Sequence, residues 1–346
     1  MSTTEHTPPS ATLPAEPDGP TLRQRVRGEQ AISVFVLIAL VVVLSIVAPG
    51  FLSIKNLLDV TRVVSITGVI AMGMTLVIIS GGIDLSVGST VGLSGAVTSS
   101  LIVGAQSSSS FVGSVTLPIP LAMLAGVLVG GVVGLVNGLI ITRTRIEPFM
   151  ATLGSMIFVQ GLIYLYTGGF PVNFAPMPGG FAWVGQGAVL GIPVPIFIFV
   201  IVCALLWWAS RRTAFGRSVY AIGGNQDAAW LSGIRVARTK MVVYTVLGLL
   251  AGVAGVVLAS RLSGANPTNG VGYELTAIAG VVIGGTSLVG GRGSVLNSLV
   301  GVFVLGVIQN ALNLFGASTE IQDVVSGLVL LLAISVDGYF RRRRRA

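Results

Sequence analysis

The sequence predicts an all-α polytopic membrane protein of about ten transmembrane helices, with Gly-rich broken or re-entrant segments and an internal repeat. Three observations carry that prediction. Apolar residues make up 53% of the chain and charged residues only 9%, against about 25% charged in soluble domains. Apolar runs that approach the ~20 residues needed to cross a bilayer recur along the chain. The basic residues cluster between alternate runs, as the positive-inside rule requires of a chain that crosses repeatedly.

Residues 1–30 hold Pro8, Pro9, Pro14, Pro17 and Pro20 among small polar residues and read as a disordered cytoplasmic tail. The first apolar run, about 31–48, has no A-x-A-like site after it and reads as a retained span. Further spans fall near 62–80, 86–105, 117–141, 149–167, 191–210, 241–260, 274–289, 294–315 and 321–338. Together they form a permease domain over 31–340, with a cytoplasmic loop at 211–240 and a basic cytoplasmic tail at 341–346. The 62–80 run opens on Arg62, and the 274–315 pair is broken by SLVGGRGS, an interruption of the kind found in discontinuous helices.

Charge placement tests the count. With the N-terminus in the cytoplasm and ten crossings, 17 of the 20 basic residues fall inside, and only Lys55, Arg62 and Arg261 fall outside. An odd number would put the Arg341–Arg345 run on the wrong side. The formal charge of +8 is then a record of topology, with the arginine tail set against anionic lipid rather than nucleic acid.

Glycine, at 47 residues, is the other signal. Gly126, Gly130, Gly134 and Gly138 recur every fourth residue along one helix face, and Gly248 and Gly252 repeat the spacing. Small residues so placed let helix backbones approach closely in lipid. VIISGGIDLSVGS (77–89) and VVIGGTSLVGGRGS (281–294) echo one another, as duplicated transporter halves do.

Several chemistries are excluded by composition. His6 is the only histidine and Cys203 the only cysteine, so no intramolecular disulfide, Cys/His zinc cluster or histidine triad can form. The chain is therefore read as no enzyme. No metal or cofactor is expected. Neither lysine lies in a Walker A loop: Lys55 is followed by Asn56 and Lys240 by Met241. A proton- or sodium-coupled carrier would usually bury several ionisable groups at mid-membrane, and here only Asp84 is placed to serve. Two functions stand: a transport subunit driven by a partner ATPase, or a stand-alone secondary carrier or facilitator of a small neutral solute.

The segment Arg211–Lys240 is the candidate for the partner's grip. No charged residue occurs from Pro148 to Ser210; six basic residues and one acid then fall within thirty positions. Inside it, GGNQDAAWLSGI reads as a short helix. Asn225 caps its first turn, Asp227 meets the positive end of the helix dipole, and Gly233 closes it. Ala228, Ala229, Trp230, Leu231 and Ile234 would form an apolar docking side. The plainer alternative is an interfacial helix on a positive loop.

Asp84, in GGIDLSVGS, is the acid placed most nearly within the membrane. It serves either a functional intramembrane role or as a cap on the next helix at Ser86 and Val87; the turn-like Leu85 and Ser86 favour the cap. Asn137, Gln160, Gln309, Asn310 and Asn313 lie within spans, with Phe149, Tyr164 and Tyr166 as aromatics. Such groups can hydrogen-bond and stack on a sugar, or simply bond between helices. An uncharged lining suits a neutral polar solute better than an ion.

Five stretches carry a resemblance: MGMTLVIISGGIDLSVGS (72–89), EPFMATLG (147–154), GRSVYAIGGNQDAAWLSGIRV (216–236), NPTNGVGYELTAIAGVVIGGTSLVGGRGS (266–294) and NALNLFGASTEIQ (310–322). In order and spacing the chain resembles the inner-membrane permease subunits of bacterial ABC monosaccharide importers, of the ribose permease type. The resemblance implies a ten-helix permease in the bacterial inner membrane, with both termini cytoplasmic. It implies pairing with a second or homologous permease, two ATP-binding cassette subunits that bind the ATP, and an extracytoplasmic sugar-binding protein. It makes Asn225–Gly233 the coupling helix, with Gly216, Gly224 and Ile234 in the same block. It leaves Asp84, Asn137, Phe149, Gln160 and Asn310 as candidates for the substrate path or its gating. The family often has Glu after the Asn and a basic residue before Leu-Ser-Gly; here these are Gln226 and Trp230.

Overall fold

A computed structural model of the protein describes residues 22–104 and 115–343. The first long helices are α1 (Leu22–Val47), α2 (Ile54–Ile79), α3 (Val87–Val103), α4 (Ile119–Thr144) and α5 (Pro148–Thr167). A short helix α6 (Gly179–Gln186) precedes α7 (Val194–Arg212). The helices α8 (Ala214–Gly224) and α9 (Gln226–Leu231) lead into α10 (Val236–Leu262), followed by α11 (Tyr273–Ile283), α12 (Val295–Leu314) and α13 (Thr319–Arg343). The expected spans overlap these helices, but 274–289 overruns α11, which ends at Ile283. Among the described residues, six helices (α2, α4, α5, α7, α10 and α12) are long and apolar enough to cross a membrane. The protein is an all-α polytopic membrane protein.

Three boundaries differ from the sequence reading. Helix α1 begins at Leu22, inside the stretch expected to be disordered, because no proline lies between Pro20 and Pro49 and Leu, Arg, Gln and Glu favour helix; residues 1–21 lie outside the described residues. Helix α2 starts at Ile54, where Ser53 accepts the Asn56 N–H, so Arg62 sits in its third turn and pairs with Asp59 at 3.3 Å. The 211–240 segment is nearly all helical, where only GGNQDAAWLSGI (223–234) was expected to be. Of the basic C-terminal tail, residues 341–343 continue α13, and 344–346 are outside the described residues.

Burial follows apolar patterning in lipid: α2 is apolar on every side and forms the centre, with 83% of its spanning window buried, whereas α5 buries 17%. Ile70, Met72, Met74, Leu76, Ile78 and Ile79 of α2 are fully enclosed, as are Tyr244 and Leu247 of α10. The exposed apolar residues of α4, α5 and α7, such as Leu128, Ile157, Leu165 and Val200, suit a hydrocarbon surround.

The glycine face does what its spacing predicts. A Cβ on Gly130 would collide with the Gly248 carbonyl and Gly252, and one on Gly134 with the Tyr244 carbonyl and Gly248. Gly138 meets Met241 in the same way, while Gly126 turns to Ser94 and Thr98 of α3. Helices α4 and α10 therefore touch backbone to backbone.

The connections sort to two ends. At one end β1 (Val172–Asn173) pairs antiparallel with β4 (Gly264–Ala265), and β2 (Ala188–Val189) forms a hairpin with β3 (Ile192–Pro193). There Gln186 of α6 donates to the carbonyls of Ser260 and Arg261 at 3.1 and 3.2 Å. At the other end lie α8, α9 and the two interrupted segments. Both interruptions close with one hydrogen-bond pattern. Gly81 N–H reaches Ile78 O and Gly82 N–H reaches Val77 O, each at 3.0 Å; Gly285 N–H reaches Val282 O at 2.8 Å and Thr286 N–H reaches Val281 O at 3.2 Å. These are Schellman closures on a left-handed glycine, at φ +78° for Gly81 and +84° for Gly285.

Candidate coupling helix and buried polar sites

Helix α9 is built as its sequence suggests. Asn225 leaves the helical conformation, and its side-chain oxygen accepts the Ala228 N–H at 2.9 Å. Asp227 stands in the first turn. The far end closes through Ser232 and then Gly233 at φ +82°, with Gly233 N–H to Trp230 O at 2.9 Å and Ile234 N–H to Ala229 O at 3.0 Å. Both ends of this six-residue helix are satisfied by its own neighbours, which fixes its shape despite its length.

The expected apolar side is divided. Ala229 is buried at 4% exposure and anchors the helix, while Trp230 and Leu231 stand out at 68% and 77%. Ala228 is exposed and Ile234 half-buried. Two large apolar side chains on a rigid, otherwise polar projection are what a docking surface needs.

The two outlying glycines of the block have different settings. At Gly216 a Cβ would strike the carbonyls of Ser210 and Ala209, so this glycine forms the tight corner between α7 and α8; Thr213 caps the corner by accepting the Gly216 N–H at 3.2 Å. Gly224 is exposed with open space around it.

Sequence reasoning missed what stands behind α9. Helix α8 packs Gly223 against the Ile79 carbonyl and Gly291. Tyr220 Oη–H donates to Gly293 O at 2.9 Å, and Gly291 N–H donates to Ile79 O at 2.9 Å. The signal was present in the periodic Phe215, Val219 and Ile222 of AFGRSVYAIGG, which spell an amphipathic helix. Lys240 Nζ donates to Gln226 Oε1 at 2.7 Å, tying α9 to α10.

Asp84 lies on the buried, non-helical link ahead of α3 and bonds to Ser86, the residue before the helix, not to the N–H groups of its first turn. Its Oδ1 accepts the Ser86 N–H at 2.9 Å and the Ser86 hydroxyl at 2.7 Å; the expected second contact with Val87 is not among its bonds. Asn137 of α4 donates to Ser86 Oγ at 2.8 Å and lies 3.5 Å from Asp84 Oδ2. Asp84, Ser86 and Asn137 are all buried, with 2% exposure or less. The cluster ties α3 and α4 to the link after α2, although the buried Asn137 Oδ1 has no hydrogen-bond partner.

The remaining polar candidates do not join it. Gln160 of α5 donates to Pro267 O at 2.9 Å. Asn310 of α12 and Asn56 of α2 exchange amide bonds at 2.8 and 3.0 Å. Phe149 is half-exposed on α5. Asp84 and Asn137 thus share one cluster, while Gln160, Asn310 and Phe149 are bonded or exposed elsewhere. Among the described residues no group of His, Cys, Asp and Glu could hold a metal ion.

Residues 56–334 match the family described as branched-chain amino acid transport system / permease component, and the chain belongs to that family. It is 42% identical over 314 residues to the ribose import permease protein of Haemophilus influenzae, covering 90% of this chain and 94% of that protein. To the ribose import permease protein of Escherichia coli K12 it is 43% identical over 307 residues, 88% and 92% of the two chains. To that of Bacillus subtilis it is 46% identical over 301 residues, 87% and 90%. No solved structure matches the chain.

Proposed function

We propose that this chain is the membrane-spanning permease subunit of an ATP-driven ABC importer that carries a monosaccharide, ribose, into the cytoplasm. The observation that carries the reading is the 42–46% identity to three ribose import permeases along nearly their full lengths. The exposed pair Trp230 and Leu231 on α9 supports its mechanical half.

In this reading the chain crosses the bacterial plasma membrane ten times from two duplicated halves, with both termini inside. It pairs with a second copy or a homologous permease through its exposed helices. Two ATP-binding cassette subunits bind the ATP and grip Asn225–Ile234, which follows the α7–α8 corner at Gly216 and the exposed Gly224, while an extracytoplasmic binding protein delivers the sugar at the opposite end. Phe149 and Gln160, on the little-buried α5, would face the sugar across the paired subunits. Asp84, Asn137 and Asn310 would act in gating through the bonds described above.

The test is reconstitution in proteoliposomes with the cassette and binding proteins encoded beside it. Ribose uptake and ribose-stimulated ATP hydrolysis should require all components. Concentrative uptake by the purified chain alone would overturn the reading in favour of a stand-alone carrier.

A further inference from the structure

The corner between α9, the start of α10 and the end of α4 encloses a cleft of about 1000 Å³. Its walls carry Arg143, Arg145, Arg235, Arg238 and Lys240 against only two carboxylates, Glu147 and Asp227. Among the described residues the single ion pair is Arg62–Asp59, so neither carboxylate is within salt-bridge distance of any of the five cations. Lys240 is engaged by Gln226; the four guanidinium groups are exposed.

Topology explains why basic residues gather at this end of the molecule, but not why these five converge on one concavity. Arg211, Arg212 and Arg217 belong to the same basic loop and are not part of its wall. The wall draws on segments far apart in sequence, Arg143 and Arg145 from the end of α4 and the others from the α9–α10 corner. Arg145 holds a left-handed backbone at φ +58°, unusual for a residue with a side chain.

The main chain adds to the field. The 27-residue helix α10 begins in the cleft at Val236, Ala237 and Arg238, with no acidic residue in its first turn and no side-chain cap. Apart from the Val236 N–H, which donates to Ile234 O at 2.9 Å, its first turn presents the positive end of the helix dipole to the same space. A concave site of one sign concentrates the opposite ion. Planar guanidinium groups beside a helix N-terminus match the oxygens of a phosphate group.

We propose that this cleft binds a phosphate-bearing anion, presented either by an anionic lipid headgroup or by a soluble phosphoester. The volume exceeds the needs of inorganic phosphate and leaves room for the body that carries it. A phosphate there bridges the α4 end to the α9–α10 corner and so braces the docking helix.

Trp230 lies in the wall and supplies the signal. The full chain in a neutral maltoside detergent is titrated with inorganic pyrophosphate while tryptophan emission is followed, with Trp230→Phe as the blank. A second arm places the chain in nanodiscs of phosphatidylcholine with and without phosphatidylglycerol. The paired change Arg235→Gln with Arg238→Gln should weaken binding by about tenfold or more, as expected when charged hydrogen bonds are lost. Arg211→Gln with Arg212→Gln should leave it unchanged. A pyrophosphate response that phosphatidylglycerol does not reduce assigns the site to a soluble phosphoester; one that phosphatidylglycerol abolishes assigns it to lipid. The proposal fails if neither probe changes the Trp230 signal, or if the control pair weakens binding as much as the cleft pair. It also fails if the cleft variants impair only the association with an ATP-binding subunit, which would make the site a socket for an acidic protein segment.

Discussion

The Gly291 amide donates to the Ile79 carbonyl across 2.9 Å, and Gly223 of α8 lies against both residues. The end of α2, the loop ahead of α12 and the helix behind α9 thus meet at one point made of main chain. A displacement of α8 therefore bears on both interrupted segments.

That junction predicts opposite outcomes for adjacent glycines. Gly223→Ala places a methyl group where the Ile79 carbonyl already is and should destabilise the protein by about 1–3 kcal/mol, the usual size of overpacking. Gly224→Ala faces open space and should stay within about 0.5 kcal/mol. Thermal unfolding of the two variants in detergent makes the comparison.

On α9, Trp230→Asp or Leu231→Asp should abolish sugar-stimulated ATP hydrolysis in the reconstituted importer, with insertion and melting temperature unchanged, because both side chains are exposed. Ala229→Asp buries a charge without a partner and should instead lower stability by several kcal/mol. Full coupling in the Trp230 and Leu231 variants would sink the docking assignment.

Ahead of α3, Asp84→Ala removes the acceptor of two buried hydrogen bonds and should cost about 1–3 kcal/mol, the penalty for stranding buried donors. Asp84→Asn keeps an acceptor for Ser86 and should recover part of that loss. Both are read from melting temperature and ribose uptake. A changed sugar preference with normal expression would show that Asp84 contacts substrate.

Between α2 and α12, Asn310→Leu leaves the Asn56 amide with only the Phe51 carbonyl at 2.9 Å. A net loss of about 1 kcal/mol is expected. Asn56→Leu with Asn310→Leu together should be less harmful than the sum of the single changes, since neither partner is then stranded.

Much of this was legible in the sequence because it rests on local chemistry. Asn225, Asp227 and Gly233 define α9 by capping rules alone, and the four-residue glycine spacing announced the α4–α10 contact. What could not be read depends on distant segments meeting. Nothing near Gly223 in sequence says that Ile79 and Gly291 will pack on it, and Asn310 looks free for a solute until Asn56 takes its amide. The start of α1 is hidden for a different reason: the prolines of residues 8–20 give all of 1–30 a disordered look, yet residues 22–30 contain none.

The glycine seam of α4 and α10 has a mechanical meaning. Where Gly130 and Gly134 lie on Gly248 and Gly252 the contact is main chain on main chain, and beside it the Leu249 side chain of α10 seats on Gly131. Parting the two would forfeit close main-chain contact, while travel along their common axis asks few side chains to move, Leu249 on Gly131 being one. The pair behaves as two smooth rails: held together laterally, with free play lengthwise.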